Sequence, residues 1–544
     1  MTTASRVTGP GARQIRTGIA AVVLAMAGTL AVAVAQTPPA ADRSGPATEG
    51  VGLVRNDPGA YQGYTLLSPL QSRTTFLIDM NGTVVHSWVT DSTPSSLAYL
   101  LENGNLLRAG AQPDSPFGGG VAGGGGRIQE IAWDGDMVWD FTYSSATRIP
   151  HHDFTRLPNG NVLMITTDKI SDVEAIAAGR IPSSVQGGEV HADSLVEIRP
   201  TGRTTGEVVW EWRVWDHLIQ DHDREKANFG DVAAHPERVD VNFTVVPDRR
   251  SADWTHFNSV AYNAALDQVI VSLRNFSEIW VIDHSTTSKE AAARSGGRSG
   301  KGGDLLYRWG NPQAYRRGTA EDRRLFGQHN VHWIPEGHAG AGHLLLFNNG
   351  DGRPDGAYSS VDEIVVPVDG TGRYALGANG RYGPDRAAWS YTAPNRTDFY
   401  SFNISGATRL PNGNTLICSG APGITFEITP DGKVVWQYNL PSFAGRAAGP
   451  GRAAAGGAGG ARAGGGGGAA GGARAGDGAA RGGGVGGAPA AGRGGAGGRG
   501  GAGGRGGFAN NGRNVFRAYR YAPDYPGLAG KQLTAGRPLA EMAQ

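Results

Sequence analysis

Cysteine is almost absent from this 544-residue chain, which contains only Cys418. A single cysteine allows no intrachain disulfide, and it excludes zinc or iron–sulfur sites built from several thiolates. Net charge is also nearly absent, because 50 Lys and Arg stand against 49 Asp and Glu. With 18% charged and 8% aromatic residues, the composition is too ordinary for a chain that is disordered throughout.

Long apolar runs are scarce as well, and the one that occurs lies near the N-terminus. Arg6, Arg13 and Arg16 precede an uncharged run over 19–35, which ends in small residues. A basic start, an apolar centre and a small-x-small end predict a secretory signal peptide over 1–35. The alternative is an uncleaved anchor, for which this run is marginally short. We therefore expect an exported protein, periplasmic or extracellular, with no membrane span after cleavage.

Glycine, by contrast, is abundant and unevenly distributed. Residues 444–507 hold 32 of the 87 glycines, together with eight Arg and one Asp. Such a stretch has no apolar face to bury and much backbone entropy to lose, which predicts a disordered insert. Its RGG triplets resemble RNA-binding segments, but it contains no aromatic residue on which a base could stack. Without this insert and the three N-terminal arginines, the net charge is near −9, so no nucleic-acid partner is expected.

A short unit recurs six times and indicates the architecture. It consists of an apolar or acidic residue before Ile, a tight turn, and β-branched residues followed by Trp, first at 78–88 and last at 427–436. Between the copies, Leu-Pro-Asn-Gly-Asn occurs at 157–161 and 410–414. Asn-Gly between apolar runs is typical of a β-hairpin. Two hairpins in each of six repeats predict an all-β fold, a six-bladed β-propeller.

The repeats predict one folded domain rather than several. We expect a flexible N-terminal segment over 36–60, the propeller over 61–443 and, after the insert, a C-terminal segment over 508–544. Within that last segment, residues 516–521 alternate like a strand. This strand is expected to join the first blade and close the ring.

Polar clusters occur at a similar place in several repeats, just before or within the first apolar strand. They are His151, His152 and Asp153; His256 and Asn258; Arg274; and His329 and His332. The innermost strands of a propeller surround its central channel, so repeat symmetry predicts that these clusters meet at one mouth. Convergent imidazoles could bind a metal such as Zn²⁺ or Cu²⁺. The neighbouring arginine disfavours a cation, and we expect no metal and no other cofactor.

The order and spacing of these clusters resemble the bacterial arylsulfotransferase family. The matching stretches are HHDFTRLPNGNVL, DWTHFNSVAYN, IVSLRN, FGQHNVHWIP and SGATRLPNGNTLI. The resemblance extends over most of residues 60–440, and it implies a propeller that moves a sulfonate group from a phenolic sulfate ester to a phenol without a nucleotide donor. The glycines of the insert lack the flanking strand and helix of a phosphate-binding loop. The oligomeric state stays open.

The resemblance also implies roles for single residues. It makes His329 the nucleophile that carries the sulfonate in a covalent sulfohistidine, and it makes His256 and Arg274 the groups that bind and activate the sulfonate. His152 matches the remaining histidine of the family. His151 is the alternative, because a shift of one residue exchanges the two.

Three further residues complete the expected site. Asn258 is expected beside His256 as a hydrogen-bond donor, and Asp153 is expected to orient an imidazole through its second nitrogen. His332 lies close to His329 in the sequence and could take its place in the site.

Two other readings of the same pocket stay open. A propeller hydrolase or sulfatase would use water as the acceptor, whereas a ligand-binding propeller would catalyse nothing. Sulfuryl transfer needs a nucleophile, cations for the sulfonate oxygens and a proton donor for the departing phenolate, and the His and Arg clusters supply these residue types.

Overall fold

The computed structural model describes residues 44–118, 121, 123–185, 187–245, 252–444 and 512–542. The predicted signal peptide over 1–35 lies outside these residues. The predicted insert over 444–507 also lies outside them, apart from Ala444. Both therefore stay predictions.

The described residues form 27 strands. The first is β1 (Gly52–Asn56). Blade 1 contains β2 (Tyr64–Pro69), β3 (Thr74–Ile78) and β4 (Val84–Val89), and blade 2 contains β5 (Pro94–Leu100), β6 (Leu106–Ala111), β7 (Gly126–Ile131) and β8 (Met137–Thr142). Blade 3 contains β9 (Arg148–Arg156), β10 (Val162–Ser171), β11 (Glu189–Pro200) and β12 (Gly206–Arg213), followed by the short pair β13 (Leu218–Ile219) and β14 (Val239–Asp240). Blade 4 contains β15 (Phe257–Asn263), β16 (Gln268–Leu273), β17 (Glu278–Asp283) and β18 (Tyr307–Trp309). Blade 5 contains β19 (His329–Trp333), β20 (Leu344–Asn348), β21 (Ser360–Ile364) and β22 (Trp389–Tyr391), and blade 6 contains β23 (Gly406–Arg409), β24 (Thr415–Ser419), β25 (Ile424–Ile428) and β26 (Val434–Asn439). The last strand is β27 (Val515–Tyr521).

Helices are few and short. The α-helices are α1 (Asp172–Ala177), α2 (Ser288–Ala291) and α3 (Leu539–Met542). The 3₁₀ turns are Pro182–Ser184, Val214–His217, Val232–Ala234, Pro312–Tyr315, Ala320–Asp322, Arg396–Asp398 and Pro526–Leu528. In the part of the chain that the structure describes, no helix is long and apolar enough to cross a membrane.

Six antiparallel sheets surround a central channel. Their innermost strands are β27, β5, β9, β15, β19 and β23, and each of these contacts the next around the ring. The prediction of an all-β, six-bladed propeller is confirmed. Since each innermost strand follows the outer edge of the preceding blade, the polar clusters near its start are brought to the same side of the ring.

The ring closes between the two ends of the described chain. Strand β27 pairs antiparallel with β2, from Tyr64 opposite Tyr521 to Pro69 opposite Val515. Blade 1 therefore takes its innermost strand from the C-terminal segment and its other three from the N-terminal region. The predicted closing strand is confirmed.

The expected flexible segment over 36–60 needs correction where the structure describes it. Residues 52–56 form strand β1, which pairs antiparallel with β26 and makes blade 6 five-stranded. The reason is that β26 leaves an open edge whose N–H and C=O groups need partners. Backbone pairing at such an edge does not require an alternating apolar pattern, which is why the sequence showed no strand there.

The recurring tryptophans join neighbouring blades. Trp88 donates its indole N–H to Ala132 O at 3.1 Å, and Trp436 donates to Met80 O at 2.9 Å across the ring closure. Both rings are almost fully buried. Tryptophan suits this place because it buries a large apolar ring and still donates one hydrogen bond. The repeat signal thus arises from packing between blades.

The recurring Asn and Glu residues also have a structural cause. In blade 3, Asn159 and Asn161 of the hairpin donate to Glu197 Oε1 at 3.0 and 2.5 Å. The other carboxylate oxygen of Glu197 contacts His284 Nε2 in blade 4 at 2.9 Å. Equivalent carboxylates pair with an arginine of the next blade elsewhere in the ring. These pairs are Glu130–Arg156, Glu363–Arg409 and Glu427–Arg520.

We expect Arg520→Met to destabilise the protein strongly, because it breaks the ion pair at the ring closure. Arg520 Nη1 lies 2.6 Å from Glu427 Oε2, and both side chains are fully buried. Removing one partner leaves an uncompensated buried charge, at a cost of about 3–5 kcal/mol. Urea-induced unfolding measures this free energy. The control is Arg199→Met, which breaks the exposed Arg199–Glu207 pair and should cost no more than about 1 kcal/mol. An equal loss of unfolding free energy in the two variants would contradict a special role for the pair at the ring closure.

Candidate active site

Three consecutive blades bend their innermost strands at the mouth of the channel. The pairing register shifts between Phe154 and Pro150 in blade 3, between Phe257 and Ser259 in blade 4, and between His329 and His332 in blade 5. A β-bulge of this kind redirects side chains and is frequent beside active sites. At or next to these bulges lie three non-glycine residues whose backbone has the left-handed conformation. They are His152, His256 and Asn330, with φ of 56°, 56° and 57°.

The proton on His329 is located by its neighbours. His329 Nδ1 lies 2.7 Å from Asn349 Oδ1 and 3.1 Å from Gly327 O. The Asn349 amide is oriented by its own nitrogen, which donates to Ser401 O at 2.7 Å and Ile404 O at 2.9 Å. Both partners of Nδ1 are therefore acceptors, so Nδ1 carries the hydrogen. In the neutral imidazole this leaves a lone pair on Nε2.

The surroundings of His329 keep its imidazole neutral. The side chain is 1% exposed, and burial lowers its pKa well below the usual range, although the Asn349 hydrogen bond acts in the opposite direction. Positive charge at Arg274, His256 and Arg517 lowers the pKa further. A buried neutral imidazole with a free Nε2 has the electronic form that a nucleophile requires.

The two adjacent histidines of blade 3 face different groups. His151 Nε2 lies 3.0 Å from Asp193 Oδ1, and its Nδ1 lies 2.7 Å from Nδ1 of His152. The His152 ring instead lies 4.7 Å from the ring of His256, measured between centroids. His152 is thus the member of the pair that faces the other site residues, and His151 lies behind it.

His256 and Arg274 lie together in blade 4. The Arg274 backbone N–H donates to His256 O at 3.0 Å, which holds the two residues at the same end of the β15–β16 pair. His256 Nδ1 lies 2.6 Å from Asp253 Oδ2, and Arg274 Nη2 lies 2.5 Å from Asp351 Oδ2. Arg274 is 16% exposed at its side chain, so the side chain is partly accessible to solvent.

Asn258 connects blades rather than facing the cluster with a free donor. Its Nδ2 donates to Gln328 O at 2.7 Å, directly before His329. The side chain is fully buried, and its Oδ1 has no hydrogen-bond partner among the described residues. Asn258 therefore holds the strand that carries His329.

The expected role of Asp153 is wrong. Its carboxylate contacts neither neighbouring imidazole; it accepts hydrogen bonds from Tyr99 Oη at 2.8 Å and Val260 N at 3.1 Å, and it pairs with Arg517 Nη1 at 2.6 Å. The bulge turns Asp153 towards the channel interior, away from the rings. The carboxylates that do contact the imidazoles are Asp193 and Asp253.

Arg517, Asn349 and Asp193 are site residues that the sequence did not reveal. Arg517 lies on the ring-closing strand β27, and its guanidinium is buried in the channel beside Asp153 and Asn258. The alternating pattern over 516–521 marked this strand, but not which side chain reaches the channel. Asn349 follows β20 without any recognisable motif.

His332 lies further along β19 than His329. Its Nδ1 donates to Asn330 O at 3.1 Å. Burial, together with Arg517, lowers the pKa of His332 to about 4.

Among the residues that the structure describes, no three His, Cys, Asp or Glu side chains are placed to hold a metal ion.

Comparisons with known proteins give one extended match. The profile of the family described as Arylsulfotransferase (ASST) matches residues 53–443. No curated protein matches the chain.

Solved structures match at low similarity. A protein of unknown function from Bacteroides caccae has 14% identity and a TM-score of 0.38, over 70% of this chain and 94% of that one. A streptogramin B lyase has 10% identity and a TM-score of 0.33, over 72% and 87%. A protein from Lactobacillus plantarum has 11% identity and a TM-score of 0.35, over 70% and 82%. These values are too low to support any inference about the site.

We expect acid to destabilise the fold through the buried histidines, and His332→Gln to reduce that effect. The pKa of His332 is about 4 in the folded protein, below the ordinary 6.5. Between pH 4 and pH 6.5 this side chain is therefore protonated in the unfolded chain and neutral in the folded protein. Stability contributed by the neutral ring is present above about 6.5 and decreases as the pH falls, by at most about 1.4 kcal/mol per pH unit.

Urea-induced unfolding between pH 7 and pH 4 measures the slope of stability against pH. His332→Gln should make this slope shallower, while the control His235→Gln, at an exposed position, should leave it unchanged. An unchanged slope in His332→Gln would show that this ring takes up its proton at the same pH in the folded and the unfolded protein, so that folding does not lower its pKa.

Proposed function

The chain belongs to the arylsulfotransferase family, and from this we propose that it is an exported aryl-sulfate sulfotransferase that works through a covalent sulfohistidine. The donor is a phenolic sulfate ester, the acceptor is a phenol, and no nucleotide takes part. The observation that carries the proposal is the proton placement on His329, whose Nδ1 faces two acceptors. Its Nε2 is thereby available to attack sulfur.

The first half-reaction loads the sulfonate onto the protein. Nε2 of His329 attacks the sulfur of the donor, a nitrogen–sulfur bond forms, and the bond between sulfur and the aryl oxygen breaks. The electron pair leaves with the phenolate oxygen, which then takes a proton. Proton donation matters at this step because an ordinary phenol has a pKa of about 10.

The second half-reaction reverses these events with another phenol. The acceptor oxygen loses its proton and attacks the sulfur, and the nitrogen–sulfur bond breaks with its electron pair returning to Nε2 of His329. The sulfonate thus leaves as a new aryl sulfate. Dividing the transfer into two displacements lets one nucleophile serve both substrates.

Three further side chains have distinct roles in both steps. Arg274 offers a planar set of donors to the sulfonate oxygens. His256, whose Nδ1 contacts Asp253, presents its other nitrogen to the same group. His152 gives and takes the proton of the phenol. Fixed donors of this kind stabilise charge that develops on the transferring group.

Transfer to a phenol is favoured over hydrolysis by the burial of the nucleophile. His329 and His152 are 1% and 4% exposed, so bulk water has little direct access to the covalent intermediate. Exclusion of water protects a reactive intermediate from hydrolysis. A sulfatase would release inorganic sulfate at the same rate with or without added phenol. The transferase should instead divert the sulfonate to the phenol.

We expect brief exposure to 4-nitrophenyl sulfate to add the mass of one SO₃ group to His329. Mass spectrometry of the denatured, digested protein locates the adduct. His329→Asn should lose both the adduct and turnover, because it removes the nitrogen that attacks sulfur.

The matched control is His235→Gln, which removes an exposed histidine and should keep adduct and turnover. Rapid turnover by the unaltered protein without any adduct on His329 would refute the covalent mechanism. Turnover that requires an added nucleotide sulfate would refute the proposed donor.

A further inference from the structure

A carboxylate and two imidazoles form a continuous chain that ends in the site. Asp193 Oδ1 lies 3.0 Å from His151 Nε2, and His151 Nδ1 lies 2.7 Å from His152 Nδ1. All three side chains are buried, with 2%, 6% and 4% exposure. Strand β11 supplies Asp193, and the bulged strand β9 supplies the two histidines. The arrangement therefore depends on how β9 and β11 are placed within blade 3.

The hydrogen bonds of Asp193 determine where the protons lie. Its Oδ2 accepts from Thr255 Oγ1 at 2.7 Å and from Phe257 N at 2.6 Å. An ionised carboxylate only accepts, so His151 carries a hydrogen on Nε2 and, when neutral, a lone pair on Nδ1. His152 must then donate from its own Nδ1. This leaves a lone pair on His152 Nε2, at the far side of the ring from His151.

A positive charge would be unfavourable on His152 itself. Burial, together with His256, His151, His329 and Arg517, lowers the pKa of His152 well below its usual value. A base that has to accept the proton of a phenol therefore needs another place for the resulting charge. His151 offers that place, because its other nitrogen already faces a carboxylate.

We propose that Asp193 and His151 are positioning residues that form a proton relay with His152. When the acceptor phenol gives its proton to Nε2 of His152, the Nδ1 proton of His152 passes to Nδ1 of His151. His151 becomes an imidazolium paired with Asp193, and His152 stays neutral. The reverse movement starts from the His151 imidazolium that this uptake leaves. Its Nδ1 proton passes to Nδ1 of His152 while the Nε2 proton of His152 passes to the departing phenolate, which returns both rings to the neutral state. The relay rests on the proposed function, since it serves the two half-reactions described there.

The decisive variant is Asp193→Asn, which reverses the proton pattern while keeping the shape. The amide nitrogen would donate to His151 Nε2, so His151 would donate from Nδ1 and His152 would carry its hydrogen on Nε2. Neither ring then has a carboxylate to stabilise the relayed charge. An equivalent exchange of carboxylate for amide behind a catalytic histidine lowers turnover by about 10⁴-fold in serine proteases.

The readout is the rate of phenol release in the first half-reaction, compared for two donors. Phenyl sulfate releases a weakly acidic phenol that needs a proton, whereas 4-nitrophenyl sulfate releases a far more acidic phenol that does not. We expect Asp193→Asn to slow release from phenyl sulfate by roughly 10²–10⁴-fold. Release from 4-nitrophenyl sulfate should change little. A merely structural role would slow both donors by the same factor.

A matched control tests whether the effect is specific to the relay or follows from removing any buried carboxylate that contacts a histidine. Asp304 lies 2.9 Å from Nδ1 of the fully buried His217, away from the three site histidines. Asp304→Asn should leave the ratio of the two donor rates unchanged. If Asp193→Asn does not fold, His151→Gln interrupts the same relay and should change the ratio in the same direction.

The possible outcomes distinguish the relay from the proposed function. If the unaltered protein forms no adduct on His329, the sulfohistidine mechanism fails irrespective of Asp193. If the adduct forms but Asp193→Asn and His151→Gln leave the donor ratio unchanged, the relay is wrong and the mechanism stands. A selective loss with phenyl sulfate supports both.

Discussion

The pairing of β27 with β2 is the interaction on which the rest of the structure depends. It closes the ring, and it places Arg520 against Glu427 at the last junction between blades. The same strand carries Arg517 into the channel, where its charge is balanced by Asp153. The two ends of the described chain therefore have to meet before the site has its electrostatic environment. Loss of this pairing would open the ring, and it would also remove the Arg517 cation from the channel.

Within that ring, the second nitrogen of each imidazole distinguishes three otherwise similar histidines. His329 faces an amide oxygen, His256 faces a carboxylate, and His152 faces another imidazole that in turn faces a carboxylate. An amide partner fixes the tautomer without favouring a positive charge, whereas a carboxylate also stabilises the imidazolium. The partners, rather than the histidines themselves, suit one ring to attack sulfur and the others to handle charge and protons.

The sequence predicted most of the fold and the approximate place of the site, for identifiable reasons. Tryptophan and the Asn-Gly hairpins recur because every blade meets its neighbour in the same way, so the repeat is visible without coordinates. Asp153 was assigned wrongly because a bulge changes which neighbour of a histidine faces the channel, and a one-residue change cannot be read from spacing. Strand β1 was missed because its pairing uses the backbone, which leaves little mark on side-chain pattern.

By itself the sequence determined a six-bladed propeller with its closing strand. It also marked His152, His256, Arg274 and His329 as candidate site residues. Both were possible because periodic patterns and repeated motifs are local properties of the chain. Only the tertiary structure decided which groups stand behind each imidazole. Asp193 and Arg517 reach the site from β11 and β27, and Asn349 from the end of β20. Contacts between such distant segments depend on register and bulges. Because proton placement follows from those contacts, the chemistry assigned to each histidine became visible only after folding.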